Sequence, residues 1–130
     1  MNEALEFHDS TVRCVEQHGS SVFVEFEPGV IHRTGARPGF DDGDVFLQPA
    51  RLVFREASVT GNIAAGNGPL SDGTIYLPAN ALSLVPVPHD YSGGVRSELV
   101  FVNGEVLNIV GHGFNCSVHG DATFLQRFLA

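Results

Sequence analysis

The sequence predicts an all-β fold, an antiparallel β-sandwich or partly open barrel of about 7–8 strands with a short C-terminal helix. Three observations support this class. Apolar and polar residues alternate over strand-length runs, most clearly at 22–27. Clusters of Gly, Pro, Asn and Asp separate these runs. Asn103-Gly104 lies between two runs rich in β-branched residues, which is the strongest short-range signal for a hairpin.

The hairpin at Asn103-Gly104 is predicted to close with a two-residue type I′ turn, because both residues of that turn need a positive φ. Such a turn fixes the register, with Phe101 opposite Val106 and Leu99 opposite Asn108. Both faces of the two strands are apolar near the turn, which a sheet with one solvated face would not need. The hairpin is therefore expected at the centre of a closed or two-layered structure.

The first half of the chain is assigned from the same alternation and from turn residues. Its predicted elements are a strand at 11–17, a turn at 18–21, a strand at 22–27 that bends at Pro28-Gly29 and continues to 32, a long loop at 34–44, an extended segment at 45–48 and a strand at 51–59. Pro49 is expected at an edge or a bulge, because proline has no N–H for a ladder hydrogen bond.

The second half begins with a flexible loop predicted at 61–73 and a short strand at 74–77. Two prolines interrupt the apolar run at 82–87, so this segment is expected at a sheet edge, linked to the central hairpin by 89–94. The last element is a predicted helix at 122–129.

The helix prediction depends on Asp121, which is suited to an N-cap, and on four apolar side chains between Phe124 and Leu129 that would share one helical face. Such a helix would cover one end of the sheets or dock on a partner. No repeat or linker divides the 130 residues, so a single domain spanning 1–130 is expected.

The net charge of the chain limits the kinds of macromolecule that it is expected to bind. The formal charge is −8 and every basic residue is Arg. Without Lys, the chain has neither a Schiff-base nucleophile nor a P-loop lysine. No basic stripe is present to neutralise a phosphate backbone, so we expect no binding to nucleic acid. The negative field would instead favour a basic protein.

The sequence also predicts a cytoplasmic location. Its first residues, Met-Asn-Glu-Ala-Leu-Glu, lack the apolar segment of a signal peptide. No apolar run is long enough for a membrane helix, so no membrane association is expected. Two cysteines without an export signal are expected to be reduced thiols.

One metal-site candidate is the run His112-x3-Cys116-x2-His119. Imidazole and thiolate are zinc ligands, and the three side chains could cluster if the segment turned back on itself. In a straight strand, Cys116 and His119 would point to opposite faces. A fourth ligand would have to come from His8 or His89. The alternative interpretation is a buried thiol with two ordinary histidines near a turn.

Other polar motifs are predicted to be structural. His8-Asp9 and His89-Asp90 fit turns in which the Asp side chain accepts backbone N–H groups. The acidic run at 41–44 lacks the ligand order of an EF-hand and is expected to be a solvated loop. The glycine-rich run at 61–68 lacks the Gly-Lys-Ser/Thr end of a P-loop. With no Gly-x-Ser-x-Gly elbow, we predict no catalytic or cofactor-binding residues.

Both ends of the chain resemble a loose class of small bacterial domains. Phe7-His8-Asp9-Ser10 leads into a predicted strand, Gly111-x-Gly113 follows the hairpin, and Phe124-Leu125-Gln126-Arg127-Phe128 stands near the end. Domains of that class begin with Phe-His-Asp-Ser or Phe-His-Asp-Ala and end around an acidic residue, Arg and Phe. Here Gln126 stands in place of the acidic residue. Most are uncharacterised, and some are assigned as immunity proteins of contact-dependent toxin systems. The resemblance implies a cytoplasmic β domain that binds a partner.

Two hypotheses about function follow, and a purely structural subunit of a larger assembly is a third possibility. The first is a non-enzymatic protein-binding module, immunity-like in kind, that uses its acidic surface or an exposed sheet edge. Its partner would be another protein or a second copy of the chain, the latter through the edge at 82–87. The alternative is a small-molecule or metal-binding β barrel that uses His112, Cys116 and His119, with zinc as the metal.

Overall fold

The computed structural model describes residues 1–130 and is an antiparallel all-β structure, so the predicted class is confirmed. It has eleven strands rather than seven or eight, and no C-terminal helix. The strands are β1 Asn2–Glu6, β2 Thr11–His18, β3 Ser21–Thr34, β4 Gly43–Phe54, β5 Ser58–Thr60, β6 Gly68–Tyr76, β7 Ala81–Leu82, β8 Leu84–Val87, β9 His89–Phe101, β10 Val106–Val118 and β11 Thr123–Phe128. One 3-10 turn, Ile63–Ala65, completes the structure. No helix could cross a membrane.

Six strands form a closed ring, because each pairs with the next and the last pairs with the first. Their order is β4-β10-β9-β6-β2-β3, and the pairing of β3 with β4 closes the ring. The seam between β2 and β6 is narrow, with only Thr11 opposite Pro69 and Val12 opposite Gly68. The side chains directed inward join one cluster of 23 buried residues, which supplies most of the stabilisation by apolar burial.

The two longest strands, β3 and β4, extend beyond the ring into a second, open sheet. Residues 30–34 of β3 pair with β1, residues 43–47 of β4 pair with β11, and β8 pairs with β1. We call this five-stranded part, in the order β8-β1-β3-β4-β11, the outer sheet. An irregularity in β3 between Phe26 and Gly29 separates ring from outer sheet, and Pro49 lies opposite it. The predicted bend and the predicted position of Pro49 at a bulge are both confirmed.

The two faces of the outer sheet have different environments, because residues directly opposite each other in neighbouring strands share a face. Leu5 lies opposite both Ile31 and Val85, and all three join the core cluster. His32 lies opposite Ala4 and Val45 on the other face. We call this second face the outer face.

The segment 35–42, between β3 and β4, folds over the outer face, and we call it the strap. Thr34 Oγ1 donates a hydrogen bond to the Asp42 carbonyl (2.7 Å), and the Asp41 carboxylate accepts one from the Arg37 backbone N–H (2.8 Å). The backbone of Gly39 packs closely against Leu84 of β8. The long loop predicted at 34–44 is confirmed in position, and its internal bonds hold it against the sheet.

The central hairpin is present, but its predicted turn and register are wrong. Gly104 N–H donates to the Phe101 carbonyl (3.0 Å), Phe101 N–H donates to the Glu105 carbonyl (2.9 Å), and only Gly104 has a positive φ, 95°. This is a three-residue turn with a bulge at its glycine. It shifts the pairing by one residue, so that Leu99 lies opposite Leu107. Only this register brings the buried residues of the two strands to one face.

The segment predicted as a C-terminal helix is the strand β11, because it pairs with the open edge of β4. Phe124 lies opposite Phe46, with their ring centroids 5.8 Å apart, and an irregularity follows at Leu125. A strand here satisfies backbone groups of β4 that a helix would leave unpaired. This long-range benefit outweighs the local helical pattern.

Two further predictions are corrected and one is confirmed. Residues 68–73, predicted as loop, begin β6, and residues 89–94, predicted as a link, begin β9. Both segments are rich in glycine and polar residues, which is typical of loops, and both become strands because neighbouring strands supply partners for their backbones. The segment containing Pro86 is an edge, as predicted, since β8 pairs only with β1.

Candidate functional site

The structure does not bring the three predicted zinc ligands together. His112 is exposed, Cys116 lies fully buried in the core, and His119 has its Nε2 3.9 Å from a Glu25 carboxylate oxygen. Burial raises the pKa of the Cys116 thiol to about 12, which disfavours the thiolate that zinc requires. No three His, Cys, Asp or Glu side chains lie close enough to hold a metal ion.

The two histidines considered as a fourth ligand also have other neighbours. His89 lies opposite Cys116 in the ladder and packs against Phe114, with ring centroids 5.6 Å apart. His8 is at an exposed turn, with its Nδ1 3.3 Å from the Asp9 carboxylate. Asp90 pairs with Arg55 at 2.7 Å.

The acidic run at 41–44 serves as a set of separate anchors. Asp41 pairs with Arg37, Asp44 pairs with Arg127 at 3.0 Å, and Asp42 accepts a hydrogen bond from the backbone of Ala130 at 2.7 Å. These carboxylates hold the strap and β11 in place instead of meeting at one cation.

The candidate site is a groove on the outer face, which the strap divides into two parts. The wider part, here called the cleft, has a volume of about 590 Å³ and lies between the strap and the strands β1 and β8. Its walls are mostly aliphatic, proline and aromatic side chains, among them Pro38, Phe40, Leu84 and Pro86. The cleft is therefore suited to apolar side chains of a ligand or partner.

The narrower part, here called the His32 pocket, has a volume of about 250 Å³ and lies between the strap and β11. His32 is buried there, with its side chain 8% exposed and its Nε2 2.8 Å from Oε1 of Glu6. Its Nδ1 has no hydrogen-bond partner. The ring of Phe128 meets the imidazole edge-on, with centroids 5.2 Å apart.

The electrostatics of the His32 pocket follow from the distribution of arginine. Six of the seven arginines form ion pairs with carboxylates, and Arg96 instead stacks on Tyr76 at 4.1 Å. None of them lines the pocket, where Glu6 and Asp9 both contribute carboxylates. The pocket is therefore a concavity that contains two carboxylates and no arginine.

Sequence reasoning missed this pocket because its members come from distant strands. Glu6 and His32 are on β1 and β3, and they meet only through the pairing of those strands. One local signal was present, since His32 is a polar residue that follows two apolar ones, Val30 and Ile31, in a strand. A histidine at that position has to find a polar partner or face solvent.

Comparison with known proteins gives no similarity on which to draw, since no family model, curated protein or solved structure matches this chain.

Proposed function

We propose that the chain is a non-enzymatic protein-binding module and that the outer face of the outer sheet is its binding surface. The observation that supports this proposal is the groove itself, in which an apolar cleft adjoins an acidic pocket. Phe40 on the strap and Leu125 on β11 are exposed large apolar side chains at its rim. Apolar and aromatic side chains around a concavity are typical of surfaces that bind proteins.

The charge of the molecule favours a basic partner. At −8, the chain would attract a positively charged protein over distances of about 8–10 Å at physiological salt. Apolar contacts in the cleft would then supply most of the affinity, because the charges at the rim remain solvated.

An immunity-like role is the form of this proposal that the resemblance favours. In the structure, Phe7 is part of the core and Ser10 is fully buried at the start of β2. The shared Phe-His-Asp-Ser pattern thus coincides with positions that support the fold. A toxin as the partner remains part of the proposal, and identifying the captured protein would test it.

Binding of a second copy through β8 is the less favoured arrangement. Pro86 and Pro88 border this edge, and proline offers no N–H to an added strand. Binding in the groove does not require free backbone N–H groups, because side chains form its walls.

The experiment compares two matched variants in capture from cells that produce the protein. Phe40→Ser alters the rim of the cleft, and Val102→Ser alters the distant tip of the central hairpin; the two side chains are 62% and 65% exposed. We expect wild type and Val102→Ser to retain the same partner and Phe40→Ser to lose most of it. Equal capture by both variants, or no specific partner for the wild type at low salt, would count against the proposal.

A further inference from the structure

We infer that the His32 pocket receives a basic side chain of the partner, either an arginine guanidinium or a lysine ammonium. This inference rests on the proposed function and names the chemistry that the partner brings to the groove. The pocket presents hydrogen-bond acceptors, and the groups that complement it are those that only donate.

The acceptors follow from the pairing of His32 with Glu6. A carboxylate only accepts, so His32 Nε2 carries the proton that is shared with Oε1 of Glu6 at 2.8 Å. In the neutral ring, Nδ1 then has a lone pair, and it is buried without a partner. Buried polar atoms are nearly always satisfied, and His32 belongs to the lining of the pocket, so a donor from a bound partner would complement an acceptor that the chain leaves unpaired.

Two carboxylates add charge to these acceptors. Glu6 uses one oxygen for His32 and its side chain is about one-third exposed, at 34%. Asp9 is also in the lining and is more exposed still. A cationic donor would form charge-assisted hydrogen bonds here, which are about twice as strong as neutral ones.

The chain itself does not place a basic side chain in the pocket. It contains no lysine, and each of its seven arginines is held by a carboxylate or an aromatic ring elsewhere. The pocket walls also include Leu84, Leu125 and Phe128, which suit the aliphatic stem of a long basic side chain. Its volume of about 250 Å³ is on the scale of one side chain.

The test is an NMR titration of the whole chain with two capped peptides, acetyl-Gly-Arg-Gly-amide and its citrulline counterpart, which has the same shape without the charge. We expect the arginine peptide to shift the ring signals of His32 and the methyl signals of Leu84 and Leu125, with saturation. The citrulline peptide should give no saturable shift. Equal shifts with both peptides, or none at His32, would overturn the inference.

The variants Glu6→Gln and Asp9→Asn keep the shape of the pocket, and asparagine tolerates the positive φ of Asp9, 70°. Each should weaken binding of the arginine peptide by about tenfold, the loss expected for one charge-assisted contact. Glu16→Gln is the matched control. Glu16 also contacts a histidine, His18, and the substitution removes the same charge from an exposed site outside the pocket. If it weakened binding equally, attraction to net charge would explain the result and the inference would fail.

The outcomes separate this inference from the proposed function. Loss of partner capture in Phe40→Ser, with retained capture in Glu6→Gln and Asp9→Asn, would refute the basic side chain while leaving the binding module intact. Loss of capture in the pocket variants, at high salt as well as low, would support both.

Discussion

Among single residues, Ser10 makes the contacts that join β1, β2 and β3. Its hydroxyl donates to the Glu6 carbonyl and accepts a hydrogen bond from the Val30 backbone N–H at 2.9 Å, and the side chain is fully buried. Removing the hydroxyl takes away the partner of the buried Val30 N–H and a donor to the partly buried Glu6 carbonyl. This side chain therefore explains why the turn between β1 and β2 needs a small hydroxyl residue.

We predict that Ser10→Ala lowers the free energy of unfolding by about 1–3 kcal/mol, the cost of an unsatisfied buried group. Urea denaturation would measure it. Ser71→Ala is the control, since the Ser71 hydroxyl bonds to the Val100 carbonyl at an exposed position. It should change stability by about 0.5 kcal/mol or less. Similar losses in both variants would show that Ser10 is not a special contact.

The two free cysteines differ in their surroundings and hence in reactivity. Burial raises the pKa of Cys116 to about 12. The pKa of Cys14 is also raised, first by partial burial and then by its hydrogen bond to Glu16. Since thiolates react and thiols do not, Cys116 should be inert in the folded protein.

We predict that a thiol reagent at mildly alkaline pH modifies Cys14 slowly and leaves Cys116 unmodified until urea is added. Mass spectrometry after digestion would assign the two sites. The variant Cys14→Ser should then show almost no native labelling. Rapid modification of Cys116 in native buffer would contradict its position in the core.

Among the elements, the central hairpin depends on the conformation of Gly104. Its φ of 95° belongs to the region that favours glycine, and no heavy atom lies within 4 Å of where a Cβ would stand. Any cost of adding a methyl group is therefore conformational and not steric. A substitution at Gly104 therefore measures the cost of the positive φ without a contribution from steric overlap.

We predict that Gly104→Ala lowers the free energy of unfolding by about 1 kcal/mol, because alanine disfavours positive φ. Gly94→Ala is the matched control, since Gly94 in β9 has equal open space and no positive φ. It should have no destabilising effect. Denaturant midpoints for the two variants would decide the matter, and equal destabilisation would contradict the observed turn.

The strap is held by Asp41, and this contact depends on pH. Hydrogen bonds from the Arg37 backbone N–H, and then from its guanidinium, hold the pKa of Asp41 below its ordinary value. A carboxyl group with a depressed pKa in the folded state adds stability above its unfolded pKa. That contribution is lost as the pH falls through the folded pKa.

We predict that Asp41→Asn has a lower melting temperature than wild type at neutral pH, and that the two converge as Asp41 is protonated in acid. Thermal unfolding across this pH range would measure the difference. Asp121→Asn, at another exposed carboxylate, should follow wild type throughout. A gap between Asp41→Asn and wild type that did not change with pH would rule out the ionised contact as its source.

In the whole molecule, the ring of strands is continuous, but the number of paired residues differs between neighbouring strands. Within the ring, β3 and β4 share five residue pairs, from Val22 opposite Phe54 to Phe26 opposite Ala50, whereas β2 and β6 share two. Local opening costs least where few backbone bonds and few apolar contacts must be broken. The seam between β2 and β6 is therefore the expected place for the ring to open.

We predict that the amides of Gly68 and Leu70, on the β6 side of the seam, exchange with deuterium faster than amides of β3 and β4 within the ring. Hydrogen exchange followed by NMR would give the rates by residue. Uniform protection around the ring would show that the molecule opens only by global unfolding.

The amino-acid sequence by itself determined the all-β class, the bend at Pro28-Gly29, the irregular pairing at Pro49 and the sheet edge that contains Pro86. These features depend on alternation of side chains and on the missing N–H of proline, which act over a few residues. The C-terminal segment shows the limit of such reasoning. Its local pattern suits a helix, but the open edge of β4 makes it a strand.

Only the tertiary structure decided the ring, the hairpin register and the His32 pocket. Each depends on which strands pair, and the energy of pairing comes from partners far apart in the sequence. Glu6 and His32 carry no shared motif, and they meet because β1 pairs with β3 in a register that places their side chains on one face. The candidate site is thus a product of strand pairing, which local residue patterns do not encode.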